Sequence, residues 1–283
     1  MKVVLFCGGL GLRMRVGDDP RPKPMMTIGD RPVLWHIMRY YAHFGHTDFI
    51  LCLGYGAQVV KDYFLEYQET ASNDFVLSEG GRRVDMISTD ITDWTITFVD
   101  TGISTEIGER LRRVRPYLGD DESFLAHYGD VLTDAPMNEV IGTFQASDAV
   151  GSLMAIRPPG SFHVVHLADG LQGGPQLVTG FQPATDLPLR INGGFFVFRQ
   201  GIFDYLDKDE DLVADACEKA AHDGKLLAIP YDGFWRPMDT LKERAELEEL
   251  YRSGEAPWAV WRASAEPAAA MAPSPVIPAS VAR

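Results

Sequence analysis

Short apolar runs alternate along the chain with longer stretches in which apolar residues recur every three or four positions. The short runs predict strands, and the periodic stretches predict helices. The predicted strands are Val3–Cys7, Phe49–Leu53, Ile96–Val99, Phe124–Tyr128, Gly151–Ile156 and Phe195–Phe198. The predicted helices are Val33–Phe44, Ala57–Tyr67, Met137–Gln145 and Leu241–Ser253. Strands and helices that alternate in this way favour the α/β class, with a mainly parallel sheet flanked by helices.

The composition changes near the end of the chain. From about Ala263 the sequence is rich in alanine, proline and serine, and such a segment cannot build a packed core. We therefore expect one domain over residues 1–262 and a flexible tail over residues 263–283. The sequence contains no internal repeat.

Length and composition exclude several classes of protein. With 283 residues, 46% of them hydrophobic, the chain can bury a sizeable core. No apolar run approaches the roughly 18 residues of a membrane span, and the opening MKVVLFCGG does not fit a signal peptide. We therefore expect a cytoplasmic protein without a membrane partner. The net charge of -14 argues against broad binding to nucleic acid, although a local cluster of arginines could still hold a phosphate.

The cysteines carry little functional signal. Cys7, Cys52 and Cys217 are odd in number and far apart, so neither a disulfide framework nor a thiolate zinc site is indicated. We expect them to be buried free thiols.

We also expect the chain to form a homo-oligomer.

The first predicted strand leads into a loop, FCGGLGLRMR, that is rich in glycine and arginine. A glycine-rich turn between a strand and a helix presents backbone N–H groups to an anion, and ligands of open α/β sheets gather at the carboxyl ends of strands. Neither the dinucleotide pattern GxGxxG nor the P-loop pattern GxxxxGK[ST] occurs. A tight turn alone would explain one or two glycines, but not the neighbouring cations Arg13, Arg15, Arg21 and Lys23. The loop therefore predicts a phosphate-binding site.

Two aspartates are candidate metal ligands. Asp130, in HYGDVLTD, directly follows an apolar strand, and Asp239, in FWRPMDT, lies in a turn just before a predicted helix. Either residue alone could be a cap or turn residue. A carboxylate at the end of a buried strand is costly unless it is paired or bound to a cation, and a nearby phosphate loop would supply a reason for Mg²⁺.

A series of motifs in order along the chain resembles those of the sugar-1-phosphate nucleotidyltransferases, and most of all the glucose-1-phosphate cytidylyltransferase group. The motifs are GGLGLRMR, RPKPM, RPVLWHIMRYY, DFILCLGYGAQVVKDYF, WTITFVDTG, GERLRRV, YGD, INGGFFVF, GFWRPMDT and GEAPW. The resemblance extends from Met1 to about Trp261, and the segments TDWTITFVDTG and GEAPWAVW favour cytidylyl- over thymidylyl- or adenylyltransferases. It implies a Rossmann-like sheet of the nucleotide-diphospho-sugar transferase type.

The resemblance also implies a role for individual residues. The residues that it assigns to the nucleotide are Gly8, Gly9, Gly11, Arg13, Arg110 and Gly129. The residues that it assigns to the sugar are Tyr128, Asn192 and Gly193. The catalytic set is Arg13, Lys23, Asp130 and Asp239, in which Lys23 stabilises the departing pyrophosphate and the two aspartates hold Mg²⁺.

The reaction that this family carries out needs no protein nucleophile. An oxygen of the sugar 1-phosphate attacks the α-phosphorus of a nucleoside triphosphate, which the resemblance implies to be CTP, and pyrophosphate leaves. Positioning and charge neutralisation are sufficient for this step. Three interpretations stay open: an enzyme that uses CTP and a glucose-like acceptor, the same reaction with a deoxy-sugar, heptose or cyclitol phosphate or with another nucleotide, and a binding protein without turnover.

Two departures from the family pattern bear on these interpretations. The loop of relatives reads GxGTR, whereas Leu12 stands at the threonine position, so a hydroxyl group that could contact a phosphate is missing. The EKP element of relatives is also absent from the stretch QLVTGFQPATDLPLRING. Either Phe181 and Gln182 replace its first two residues, or those two residues are deleted before Pro183.

The missing lysine raises the question of which cation meets the sugar phosphate. Arg190, two residues before Asn192, is the first candidate, and we expect it to bind the sugar phosphate. Arg157, in the RPPG loop, is the second. A guanidinium can bind a phosphate through two hydrogen bonds and need not occupy the position of the lysine along the chain. The alternative is that Arg190 is a solvated loop charge.

Overall fold

An eight-stranded sheet forms the centre of the fold, and helices pack against both of its faces. The computed structural model describes residues 1–9, 21–158, 163–168 and 174–262 of the 283-residue chain. The expected tail, residues 263–283, lies outside the described residues.

The strands are numbered in chain order. They are β1 (Val3–Phe6), β2 (Thr27–Ile28), β3 (Arg31–Pro32), β4 (Asp48–Leu53), β5 (Phe75–Ser78), β6 (Arg83–Met86), β7 (Thr95–Asp100), β8 (Ser123–Tyr128), β9 (Val131–Thr133), β10 (Gly151–Ile156), β11 (His163–Leu167), β12 (Val178–Pro183), β13 (Ile191–Asn192), β14 (Phe196–Arg199), β15 (Leu226–Tyr231) and β16 (Trp235–Pro237). All six strands predicted from the sequence are present. Each observed strand end lies within one residue of the predicted end.

The α-helices are likewise numbered in chain order. They are α1 (Val33–His43), α2 (Ala57–Leu65), α3 (Ile107–Leu118), α4 (Met137–Gln145), α5 (Glu218–His222) and α6 (Leu241–Arg252). The four predicted helices correspond to α1, α2, α4 and α6. The sequence analysis did not predict α3, because its four arginines and an internal proline, Pro116, weaken the apolar periodicity.

The central sheet has the strand order β13-β10-β14-β8-β1-β4-β7, and β15 also pairs with β10. Strands β8, β1, β4 and β7 run parallel to one another, so their carboxyl ends lie along one edge. Strand β14 runs antiparallel to both β8 and β10, and β15 is parallel to β10. The α/β class and the mainly parallel sheet predicted from the sequence are confirmed.

Two hydrophobic clusters cover the two faces of this sheet. Alternate residues of one strand point to opposite faces, so Leu125 of β8 belongs to one cluster while Phe124 and Ala126 belong to the other. The first cluster includes α1 and α4, and the second includes α3. Sheet faces buried on both sides explain the nearly continuous apolar runs that predicted the strands.

Two further expectations concern the thiols and the membrane. Cys7, Cys52 and Cys217 are buried and free, as predicted. Among the described residues, none of the helices combines the length and the apolar character that a membrane crossing requires.

Candidate functional site

The predicted phosphate loop begins where β1 ends, at the edge that holds the carboxyl ends of the parallel strands. Gly8 is buried and Gly9 is exposed at this edge. The remaining loop residues singled out in the sequence, Gly11, Leu12 and Arg13, lie outside the described residues, as does Arg15. Their roles in binding the triphosphate stay predictions.

Arg110 of α3 makes hydrogen bonds at the ends of several parallel strands, including the end of β1 at Gly8. The Arg110 residue is only 4% exposed, and each of its five N–H groups has an oxygen acceptor in the protein. The acceptors are Gly8 O, Leu53 O, Thr101 Oγ1, Ile103 O and Thr105 O, at distances of 2.8 to 3.3 Å. The guanidinium thus joins the last residue of β4 to the segments that follow β1 and β7.

The direct contact with the nucleotide expected for Arg110 stays a prediction, and the structure adds a second role. The acceptors of its hydrogen bonds are neutral oxygens, and none of the ion pairs among the described residues involves Arg110. Burial lowers the pKa of this guanidinium, although it stays charged at any ordinary pH. The group therefore positions Gly8 and adds a positive charge beside it.

Lys23, Asp130 and Asp239 meet in one cluster, although they are far apart in sequence. Lys23 Nζ donates to Asp130 Oδ2 at 2.6 Å and also contacts Asp239 Oδ1. The exposed fraction of the side chain rises from 13% for Lys23 to 27% for Asp130 and 43% for Asp239. The cluster is thus half-buried and opens on the side of Asp239.

The pairing of two short strands explains why the aspartates converge. Asp130 immediately precedes β9 and Asp239 lies just after β16, and these strands are antiparallel with Val131 opposite Pro237. Met238 N also donates to Asp130 O at 2.9 Å. Antiparallel pairing therefore places Asp130 opposite Met238, and it brings Asp130 and Asp239 to the same end of the two strands.

A helix cap holds the backbone of Asp239 in place. Thr240 and Glu243 form a capping box at the start of α6, and Glu243 Oε2 accepts hydrogen bonds from the backbone N–H groups of Asp239 and Thr240, each at 2.8 Å. The pattern Thr-Leu-Lys-Glu is a recognisable sequence signal for such a cap. It was not used in the sequence analysis, and it places Asp239 directly before the helix.

A glycine allows the Lys23 segment to approach Asp130. Lys23 begins a 3₁₀ turn, Lys23–Met25, and a β-carbon on Gly129 would lie 3.2 Å from Pro24 Cγ and 3.0 Å from Phe6 O. That spacing is tighter than side chains usually tolerate. Gly129 therefore acts here by close packing, and its predicted contact with the nucleotide stays a prediction.

The electrostatics of the cluster reflect burial and pairing together. Burial by itself would lower the pKa of the Lys23 ammonium, but the Asp130 and Asp239 carboxylates together raise it above its usual value. Burial raises the pKa of Asp130, and Lys23 opposes that shift. The cluster thus places one ammonium group between two carboxyl groups.

The residues predicted to face the sugar also lie together. Asn192 Nδ2 donates to Tyr128 Oη at 3.3 Å, and Asn192 Oδ1 accepts from Gly194 N at 2.9 Å. Trp235 Nε1 donates to Gly193 O at 2.8 Å. Strand β16 therefore holds residues 191–194, called the INGG turn below, as well as the Asp239 segment. Burial raises the pKa of Tyr128 to about 12, so its phenol is neutral at physiological pH. The sequence analysis did not single out Trp235.

Arg190 and Arg157 converge on a carboxylate that the sequence analysis missed. Arg190 Nη2 lies 3.0 Å from Asp232, and Arg157 Nε lies 2.9 Å from the same side chain. Arg190 also donates to Ala155 O and Tyr231 O, at 3.0 and 3.1 Å, where β10 and β15 end. The two guanidinium groups hold the pKa of Asp232 below its usual value.

A cavity beside this arginine pair reaches the residue that holds the INGG turn. Arg157 and Asp232 line a cavity of about 220 Å³ that Trp235 and Arg236 also border. Because Trp235 holds Gly193, the cavity adjoins the predicted sugar site. Arg190 is anchored at the strand ends, which does not match the alternative of a purely solvated charge, although its predicted contact with phosphate stays a prediction.

The residues that stand near the absent EKP element lie on a separate hairpin. Phe181 and Gln182 belong to β12, which pairs with β11. Phe181 is 69% exposed, and Gln182 contacts His166 Nε2 through Oε1 at 3.2 Å and donates to Asp186 O at 3.3 Å. Neither side chain supplies the positive charge of the lysine in the family motif.

Comparison with characterised proteins identifies close relatives. The chain is 39% identical over 264 residues to glucose-1-phosphate cytidylyltransferase of Salmonella typhimurium, which covers 92% of this chain and all of that protein. It is 36% identical over 263 residues to a probable glucose-1-phosphate cytidylyltransferase of Bacillus subtilis, with the same coverage. No profile of a known protein family matches the chain.

Solved structures show the same fold. A UDP-glucose pyrophosphorylase from Acinetobacter baumannii superposes with a TM-score of 0.64 at 19% sequence identity, over 93% of this chain and 97% of that one. HddC from Yersinia pseudotuberculosis gives a TM-score of 0.62 at 17% identity, over 88% of this chain and 99% of that one. At such identities the likeness concerns the fold alone.

Proposed function

Because the chain belongs to the sugar-1-phosphate nucleotidyltransferases, in the group of the glucose-1-phosphate cytidylyltransferases, we propose that it joins CTP to glucose 1-phosphate and releases pyrophosphate. The choice of CTP and glucose rests on the two relatives with 36% and 39% identity that carry that name. The observation that carries the proposal is the convergence of Lys23, Asp130 and Asp239 beside the end of β1.

The aspartate pair fits a divalent metal. Both carboxylates already point an oxygen at one cation, the Lys23 ammonium, and carboxylate oxygens are the ligands that Mg²⁺ prefers. Within the described ranges no group of three or more His, Cys, Asp or Glu side chains could hold a metal. A site with two carboxylates suits Mg²⁺, which usually takes its other ligands from substrate phosphates and water. Asp130 and Asp239 would hold the ion, which would supply Lewis-acid neutralisation of phosphate charge.

The protein's own part in the reaction is positioning and electrostatics. An oxygen of the sugar 1-phosphate attacks the α-phosphorus, the bond from the α-phosphorus to the bridging oxygen breaks, and that oxygen leaves with pyrophosphate. Gly8, Gly9, Gly11 and Arg13 would bind the triphosphate, and Gly129 would border it. Lys23 would meet the negative charge that builds on the leaving group, where it lowers the barrier more than it tightens binding.

The acceptor would lie between the INGG turn and the end of β8. Tyr128, Asn192 and Gly193 present a phenol, a carboxamide and backbone groups there, which suit sugar hydroxyls. Arg190 would supply positive charge near the sugar phosphate in place of the missing lysine. We propose a cytoplasmic homo-oligomer that acts on these small molecules without nucleic acid or membrane.

One observation favours a second candidate function, the same reaction on a different acceptor. The Arg157–Asp232–Arg190 cluster borders the sugar side of the site, and the residues of the hairpin β11–β12 carry no lysine there. A changed arrangement of charges suits an acceptor other than glucose 1-phosphate, such as a deoxy-sugar, heptose or cyclitol phosphate.

Pyrophosphate release tests both candidates. The protein is incubated with Mg²⁺, each common nucleoside triphosphate and a panel of sugar and cyclitol phosphates, and the products are identified by mass spectrometry. We expect the highest kcat/KM with CTP and glucose 1-phosphate. A higher value with another acceptor would favour the second candidate. Failure of every combination to release pyrophosphate would contradict catalysis and leave a binding protein.

A further inference from the structure

The two proposed metal ligands share a cation that belongs to the protein itself. Lys23 Nζ lies 2.6 Å from Asp130 and also contacts Asp239, and its side chain is only 13% exposed. The ammonium therefore occupies the place toward which both carboxylates point. A divalent ion that bound both of them would have to displace it.

We propose that Lys23 closes the metal site of the free protein and releases it only when a triphosphate is present. This inference rests on the proposed function, because it takes Asp130 and Asp239 as the metal pair. Lys23 would then have two alternative positions, one on the carboxylates and one on the phosphates. Metal and nucleotide would enter together, and the free metal alone would bind weakly.

The balance of charge explains the coupling. With Lys23 in place, the cluster carries one positive and two negative charges, so most of the attraction for a cation is already satisfied. Binding a divalent ion alone would push a largely buried ammonium out of its ion pairs without offering it a new anion, which costs free energy. A triphosphate supplies that anion. Each ligand then strengthens the binding of the other by the same factor.

The structure separates the parts that stay in place from the part that can move. The hydrogen bond from Met238 N holds the backbone of Asp130, and Glu243 in the cap of α6 holds the backbone of Asp239. Lys23 instead reaches the carboxylates through a flexible four-carbon stem from a short 3₁₀ turn. The backbone that carries the two carboxylates can therefore stay in place while the ammonium moves from one partner to the other.

Mn²⁺ binding in the absence of nucleotide and acceptor tests the inference. Free Mn²⁺ is measured by electron paramagnetic resonance during titration of the wild-type protein, Lys23→Met and Lys23→Gln. We expect both variants to bind one Mn²⁺ at least about tenfold more tightly than the wild type, because the competing cation is gone. Adding Asp130→Asn to Lys23→Met should abolish the gain. Circular dichroism establishes that each variant is folded.

Lys219 provides a matched control. Its ammonium also joins two carboxylates, those of Asp207 and Glu210, at 3.3 and 2.6 Å, at a place outside the proposed site. We expect Lys219→Met to leave the affinity for Mn²⁺ unchanged. An equal gain in Lys219→Met would mean that any freed carboxylate pair binds the ion, and would overturn the specific role of Lys23.

The failure of this inference can be told apart from the failure of the proposed function. Unchanged Mn²⁺ affinity in both Lys23 variants, or tight binding to the nucleotide-free wild type, would overturn the inference. Neither result involves an acceptor or turnover, so pyrophosphate release by the wild type would still stand as evidence for the enzyme. Loss of pyrophosphate release with every substrate would contradict the function whatever the Mn²⁺ affinities are.

Discussion

The guanidinium of Arg110 fills the space that a side chain at Gly8 would need. A β-carbon on Gly8 would lie 2.7 Å from Arg110 Cζ and 3.0 Å from the backbone nitrogen of Gly54. Arg110 Nη2 donates to Gly8 O at 3.3 Å, so the two residues are bonded as well as packed. The requirement for glycine at this position therefore comes from a buried arginine of α3, and the start of the loop depends on that packing.

Replacing Gly8 with alanine should move Arg110 and disturb the loop. We expect Gly8→Ala to lower kcat/KM for the nucleotide by at least about tenfold and to reduce the free energy of unfolding by about 1–3 kcal/mol, the usual cost of overpacking. Steady-state kinetics and urea denaturation measure the two effects. Gly142→Ala in α4 is the control, because a β-carbon there has no neighbour within 4 Å and alanine favours a helix. Wild-type kinetics of Gly8→Ala would show that the loop does not depend on this packing.

Removing either carboxylate charge should abolish turnover without unfolding the protein. We expect Asp130→Asn and Asp239→Asn each to lower kcat by about two orders of magnitude or more, because an amide keeps the shape but binds Mg²⁺ poorly. Lys23 keeps one carboxylate partner in each variant. Turnover is followed by pyrophosphate release, and Asp85→Asn serves as the control, because Asp85 pairs with Arg83 on the exposed hairpin β5–β6. Activity within a few-fold of wild type would contradict the metal assignment.

Substitutions of Arg190 and of Asp232 should change the KM for the sugar phosphate in opposite directions. We expect Arg190→Ala to raise the KM for the sugar phosphate by about tenfold, because a cation near the phosphate is lost. Asp232→Asn should lower that KM, because it removes the anion that Arg190 and Arg157 share. Arg157→Ala tests the second candidate in the same assay. If none of these KM values changes, the arginines only brace the ends of β10 and β15.

The free energy of unfolding should fall in acid, because folding lowers the pKa of Glu109 in α3. Its side chain is 2% exposed, and hydrogen bonds from Arg112 and Arg113 lower its pKa to about 2, against the opposing effect of burial. A carboxyl whose pKa is lowered by folding stabilises the folded state above its ordinary pKa of about 4.5, and this contribution is lost as the pH falls toward 2. The contribution at neutral pH is on the order of 2–3 kcal/mol.

Urea denaturation at several pH values measures this effect. Glu109→Gln should reduce the free energy of unfolding at pH 6. It should also make that free energy fall less steeply as the pH is lowered from 4.5 to about 2. Glu139→Gln in α4 is the control, because Glu139 is exposed and such substitutions usually change stability by less than about 0.5 kcal/mol. An equally steep decline in Glu109→Gln would assign the acid sensitivity to other groups.

The amino-acid sequence by itself determined the elements whose local pattern is strong. Strands buried on both faces read as continuous apolar runs, α1 is apolar and buried along most of its length, and α4 buries one regular stripe, so neighbouring residues carry enough information to locate these elements. The Gly8–Gly9 turn and the two aspartates could also be identified, because each follows a strand or precedes a helix. Where the pattern is mixed with charge, as in α3, local information was insufficient.

Only the tertiary structure decided which of these residues meet. Lys23 lies 107 residues from Asp130 and 216 from Asp239, and their contact depends on the pairing of β9 with β16 and on the close approach that Gly129 allows. Asp232 could not be linked to Arg157 and Arg190 for the same reason, since strand ends come together through long-range pairing. Sequence patterns report local conformation, whereas the charges and hydrogen bonds of a site depend on distances between segments that only folding brings together.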